Sequence, residues 1–189
     1  MVVQTRIGMP MDEFIREFNE APFELVNGEK IPLMPPVEEH GLIISLLFEL
    51  LVLYKQGNPN FGIFTETPFV LEYIADWVKG SRVPDLMIFD KARLEEYRAR
   101  TPDHKLKPLI LVPDLCVEVI SANDSYFDVD EKVEGYLKDG VRLIWVINPR
   151  LKRITALTST NTVRLTEADT LDGGDVLPGF SLSVRTLFA

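Results

Sequence analysis

Hydrophobic and polar positions along the chain fall into several distinct periods. Over residues 11–20 (MDEFIREFNE), Phe14 and Phe18 stand four apart with Ile15 beside them, which predicts a short docking helix. Between residues 22 and 34, two extended apolar runs flank Asn27-Gly28. That dipeptide suits the positive φ values of a two-residue primed turn, so a β-hairpin is expected, ended by Pro35-Pro36. From Glu39 to about Gln56, Leu42, Ile43, Leu46, Leu47, Leu50, Leu53 and Tyr54 follow helical spacing. Nearly every face is apolar, which predicts a buried helix, stopped by Gly57-Asn58-Pro59.

The next segments read as strands and helices in turn. Residues 61–65 and 68–74 flank Thr67-Pro68 and suggest a hairpin or one bent strand, and 75–82 (ADWVKGSR) reads as a loop. Residues 83–89 (VPDLMIF) predict a buried strand, 91–100 a charged helix and 101–113 a loop rich in Pro and Lys. Residues 114–121 (DLCVEVIS) predict a second apolar strand. Asp124 to Asp128 offer a cap for a helix at about 129–139, which Asp139-Gly140 stops, and 142–147 (RLIWVI) form a third buried strand. Residues 152–157 and 162–166 suggest a peripheral hairpin, and Leu177-Pro178-Gly179-Phe180 a turn into a last short strand or helix.

Strand–helix–strand over 114–147 implies a right-handed βαβ unit. The expected fold class is α/β (α+β): a mixed central β-sheet flanked by helices, with an N-terminal β-hairpin and a C-terminal hairpin. At 189 residues the chain is expected to form one domain, with a core at about 22–150, an N-terminal helix at 11–20 and a peripheral hairpin and tail at 151–189.

Composition narrows the function. Acidic residues number 29 and basic residues 20, a net charge of −9, which argues against a non-specific polyanion binder because phosphate binding draws on Lys and Arg. Any nucleic-acid role must rest on local basic patches or metal ions. Two stretches are locally basic, Lys91 to Lys107 and Lys132 to Arg153, and each reads equally well as a solvated face. The single Cys116, inside an apolar run, reads as a small buried hydrophobe. The opening residues show no signal-peptide pattern, and the apolar stretch 41–54 is short for a bilayer and carries Glu49. A reducing cytoplasmic setting with no membrane is expected. No zinc-ligand spacing, P-loop, dinucleotide glycine fingerprint or GxSxG elbow is present, so no organic cofactor is expected.

Two apolar strands carry an acid where an acid is costly: Asp85, after Pro84 and before LMIF, and Glu118, between LCV and VI. Asp85 alone reads as readily as a loop cap. Glu118 alone could lie on an exposed sheet face, but its neighbours on both sides are apolar. Two carboxylates on neighbouring strands can reach bridging distance of a hard cation such as Mg²⁺ or Mn²⁺, which takes oxygen ligands and uses one or two carboxylates. Lys132, on the helix after the Glu118 strand, is the candidate cation to position water and offset phosphate charge. Taken alone it reads as a solvated lysine paired with Glu131 or Asp128.

The ordered elements FELVNGE, PP-x₃-H, VPDLMIF, PDLCVEVIS, DVDEKVEGYLKDGV and LIWVINP, from about Phe23 to Phe180, resemble the bacterial family named putative restriction endonucleases, within the PD-(D/E)XK nuclease superfamily. Pro84-Asp85 resembles the PD motif, and Glu118-Val119-Ile120 stands at the (D/E)XK place. Ile120 occupies the position of the motif lysine, and the resemblance moves that role to Lys132.

The resemblance also implies that Glu24 is a further metal ligand or water-positioning group, against the alternative of a hairpin-edge carboxylate in solvent. It gives His40 a site-lining role, against that of a helix cap. His104 reads as solvated, Trp145 as core, and Tyr136, four residues after Lys132, as a packing residue with its hydroxyl near the site. The implied activity is Mg²⁺- or Mn²⁺-dependent hydrolysis of phosphodiester bonds in DNA by a homodimer. The rival readings are a non-catalytic binding or assembly domain of the same fold and a hydrolase of other phosphate esters.

Overall fold

The computed structural model describes residues 7–121 and 126–189. After a two-residue strand β1 (Met9–Pro10), helix α1 (Met11–Glu20) docks through Met11, Phe14 and Phe18. The hairpin β2 (Phe23–Val26) and β3 (Glu29–Pro32) follows, and Asn27 and Gly28 both take positive φ, 52° and 89°, as a primed turn requires. Helix α2 (Glu38–Gly57) leads to β4 (Phe61–Thr65), β5 (Phe69–Ile74), β6 (Trp77–Arg82) and β7 (Leu86–Asp90). Then come α3 (Lys91–Arg100), β8 (Leu115–Val119), α4 (Tyr126–Asp139) and β9 (Leu143–Asn148). The chain closes with hairpins β10 (Arg153–Leu157)–β11 (Thr162–Thr166) and β12 (Thr170–Gly173)–β13 (Leu177–Ser183) and a 3₁₀ turn at Val184–Phe188.

Six strands form the central sheet in the order β11-β10-β9-β8-β7-β4, parallel only between β8 and β9, which α4 connects. The expected mixed sheet and its strand–helix–strand unit are therefore present. Side-chain alternation divides the sheet into two packed faces. Leu86, Ile88, Leu115, Val117, Trp145 and Ile147 meet α2 and the C-terminal hairpin on one face. Met87, Phe89, Cys116, Ile144 and Val146 meet α3, α4 and Phe69 on the other. A second sheet, β1-β6-β2-β3 with β5 paired to β6, carries its own small core against α1.

Four expectations need correction. Residues 61–65 and 68–74 form neither a hairpin nor a bent strand: β4 pairs with β7 in the central sheet, whereas β5 pairs with β6 in the other. The supposed loop at 75–82 contains β6, whose small residues Gly80 and Ser81 look loop-like but let β2 approach, so that Leu25 N donates to Ser81 Oγ at 2.8 Å. Helix α2 is not buried all round. Ile43, Leu47 and Leu51 face the sheet, while Leu42, Phe48, Val52 and Leu53 are exposed, because one sheet covers only one side of a helix. Finally, β10–β11 is not peripheral, since β10 extends the central sheet by pairing with β9. Helix α4 starts at Tyr126, so Asp128 lies in its first turn, and the proposed cap at Asp124 falls outside the described residues.

Candidate active site

The register of β7 and β8 decides where the two strand acids meet. These antiparallel strands pair Leu86 with Val117, Met87 with Cys116 and Ile88 with Leu115. Asp85 stands directly before Leu86, at the end of β7 that lies beside Val117 and Glu118. Alternation within β8 gives Glu118 the same face as Cys116, the side on which α4 packs. Asp85 Oδ2 accepts a hydrogen bond from Val119 N at 2.6 Å and lies 3.1 Å from His40 Nε2. His40 stands in the first turn of α2, so it reaches Asp85 from the opposite helix instead of capping its own.

Glu118 is closed in by α4. Lys132 Nζ donates to Oε2 at 3.2 Å, and the buried Tyr136 hydroxyl donates to Oε1. The i,i+4 spacing of Lys132 and Tyr136 puts both on one helix face, each holding a different oxygen of one carboxylate. Glu24 enters from β2 and is only 1% exposed, so the solvent-edge alternative does not hold. Its Oε1 accepts from Val83 N at 2.8 Å, and its Oε2 lies 4.0 Å from Lys132 Nζ. The structure thus brings all five sequence-derived residues, Glu24, His40, Asp85, Glu118 and Lys132, into one place.

Burial and like charge shape the protonation of this cluster. Burial pushes Glu118 up to about 7, and the carboxylates of Asp85 and Glu24 add to that effect against the opposing pull of Lys132 and the Tyr136 hydrogen bond. Lys132 lies above the ordinary lysine range, because the attraction of Glu118 and Glu24 outweighs the opposing effect of burial. The Tyr136 hydroxyl is held well above its usual value by burial and then by Glu118 and Glu24, so it stays a proton donor.

Three carboxylates gather around one lysine, and Glu118 remains hard to ionise even with that lysine beside it. This surplus of negative charge and the all-oxygen donor set of Asp85 and Glu118 fit a hard divalent cation. Among the described residues no group of three or more His, Cys, Asp and Glu forms a preformed metal cage. An ion held by two carboxylates alone would leave most of its positions to water and substrate.

Sequence reasoning missed several supporting groups. Ser81 and Arg82 lie at the end of β6, in a stretch read as a loop, and the Val83 amide directly after it, in a run read as a strand with no sign that its amide would meet Glu24. Tyr136 was placed near the site but not recognised as a partner of Glu118, although its spacing from Lys132 was available. Ile120 serves the sheet, donating its amide to Ile147 O at 2.8 Å. His104 is half-buried and held by its own turn, with Nδ1 2.9 Å from Thr101 O.

The locally basic stretches are largely compensated. Arg93 and Arg142 both pair with the buried Asp114, Lys107 with Asp76 and Asp103, and Arg100 with Glu96. A cleft of about 430 Å³ lined by Arg93, Tyr97, Arg100 and Lys107 therefore offers little free positive charge and contains none of the five site residues.

Comparison with known proteins supports this architecture. A crystal structure of a putative nuclease belonging to DUF820 from Anabaena variabilis superimposes with a TM-score of 0.76. The match covers 95% of this chain and 97% of that one, at 20% sequence identity, which establishes a shared fold. No curated protein matches the chain. The model of the Uma2 family, described as "Putative restriction endonuclease", matches residues 11–185, which include every residue of the cluster. With that match over nearly its whole length, the chain belongs to the Uma2 family.

Proposed function

We propose that this protein is a metal-dependent endonuclease that hydrolyses phosphodiester bonds in DNA, with Asp85 and Glu118 holding Mg²⁺ or Mn²⁺. The observation that carries this reading is the Lys132 amine, 3.2 Å from Glu118 and within the electrostatic reach of Asp85 and Glu24. A divalent ion bound there would supply Lewis acidity and a more acidic water. Lys132 would orient that water and offset charge on a phosphate oxygen, the role that Ile120 cannot fill. His40 fixes the Asp85 carboxylate, Tyr136 fixes that of Glu118, and Glu118 with Glu24 keeps Lys132 protonated and directed inward. A homodimer would present two such sites to a duplex, and sedimentation equilibrium reads its mass directly. In a plasmid-nicking assay with Mn²⁺, Asp85→Ala should remove cleavage while the circular dichroism spectrum stays unchanged. Full activity in that variant would rule the assignment out.

One observation favours a second reading, a binding domain of the same fold. Both oxygens of Glu118 are already engaged, by Lys132 and Tyr136, so the cluster is also satisfied as a closed polar network. Calorimetric titration with Mn²⁺ separates the two, because only the nuclease reading requires an exothermic or endothermic site that disappears in Asp85→Ala.

A further inference from the structure

The four residues Arg82 to Asp85 tie together every part of the site. Asp85 holds the Val119 amide and meets His40, and the Val83 amide holds Glu24. Arg82, the last residue of β6, reaches in the other direction, to α4. Its Nε donates to Asp139 Oδ2 at 3.4 Å, and both side chains are only 12% exposed.

Helix α4 is shaped to receive this side chain. A Cβ added to Gly135 would lie 2.5 Å from Arg82 Nη2 and 3.1 Å from Cζ, so the guanidinium occupies the space that any larger residue would fill. A glycine inside a helix weakens it, which makes its presence here informative. Lys132, Gly135 and Asp139 stand at i, i+3 and i+7, on one face of α4. The residue that points at Glu118 and the two that seat Arg82 are therefore carried by the same rigid surface.

We propose that Arg82 is a positioning residue: lying across Gly135 and paired with Asp139, it fixes α4 against the strands that carry Glu24 and so sets the Lys132 amine between Glu24 and Glu118. Arg82 touches neither substrate nor reacting atoms in this scheme. Its kinetic consequence rests on the nuclease reading, but its structural consequence does not.

The test uses Gly135→Ala, which denies the guanidinium its seat, and Asp139→Asn, which removes the charge it pairs with. The guanidinium is the end of a flexible side chain, so Gly135→Ala is expected to displace it without unfolding the chain. Each variant should lower kcat at least ~10-fold with KM within about twofold, because small displacements of a catalytic group cost rate more than binding. The double variant should be no worse than either single one, since both disable one contact.

Independently of activity, the ¹⁵Nζ resonance of Lys132, assigned by its loss in Lys132→Met, should be slowly exchanging in the wild type and lose that protection in both variants. A merely structural role would lower thermal stability but leave kcat per folded molecule and the Lys132 signal unchanged, and that result would overturn the proposal. Should the wild type show no cleavage while the Lys132 signal still responds to Gly135→Ala, the nuclease reading fails and the positioning role stands.

Discussion

Helices α2 and α4 cover opposite faces of the same sheet, and they put their apolar and charged residues to different uses. Helix α2 is the most apolar segment of the chain, yet Leu42 is 64% exposed and Leu53 60%. Seven of the 14 residues of α4 are charged, yet it closes over the polar cluster through Val133 and Tyr136 and through its contacts to Glu118 and Arg82. The contrast separates two uses of a helix. The inner stripe of α2 contributes burial, and only His40 at its start enters the site. Helix α4 contributes few buried residues but carries the groups that engage both oxygens of Glu118. Stability should therefore depend mainly on α2 and activity mainly on α4.

Variants that test this division can be ranked by the size of their effect. Lys132→Met should lower Mn²⁺-dependent cleavage by ~10²–10³-fold, the usual loss when a charge-stabilising group is removed, with a smaller change in unfolding free energy. A larger effect on denaturant midpoint than on rate would reverse the assignment for α4. Next, Leu47→Ala, at a fully buried position of α2, should cost about 2–5 kcal/mol in urea unfolding while leaving the rate per folded molecule near wild type. A rate that collapsed in the still-folded fraction would show that α2 acts on the chemistry as well.

The third prediction concerns pH. Burial pushes the Glu118 carboxyl in the metal-free fold up to about 7, against an ordinary value of 4.5, so the folded state holds this proton more tightly than the unfolded chain does. Its contribution to stability is complete below about 4.5 and is lost as pH rises toward 7. Thermal melts of the metal-free protein should therefore show a midpoint that falls across that window, and Glu118→Gln should flatten the slope. An identical slope in the variant would place the titration elsewhere. Added Mn²⁺ should oppose the fall, because a cation favours the ionised carboxylate.

The smallest effect is expected from Leu53→Ser on the outer side of α2, within about 0.5 kcal/mol, as for other exposed positions. A loss well beyond that would show that another molecule covers this side of α2 in solution.

Much of the fold was legible because local chemistry and tertiary demand agreed. Asn27-Gly28 marked a turn that needs two positive φ values, Asp139-Gly140 marked the end of α4, and continuous apolar runs marked β7, β8 and β9. Residues 77–82 were not legible. Trp-Val-Lys-Gly-Ser-Arg lacks the apolar alternation of a strand, and its small residues make sense only once β2 lies against them. For α2, apolar residues on every side indicated a helix but not how many sides the rest of the chain would cover.

The amino-acid sequence by itself determined most of the elements and their order, β6 excepted, and the presence of Asp85 and Glu118 in apolar runs, because periodicity and the cost of burying charge act over a few residues. Only the tertiary structure decided that those acids come near enough to act on one another, that Glu24 is buried beside Lys132, that His40 reaches Asp85, and that Arg82 rests on Gly135. Each of those outcomes depends on strand register or on contacts between distant segments, and neither is encoded in the spacing of neighbours along the chain.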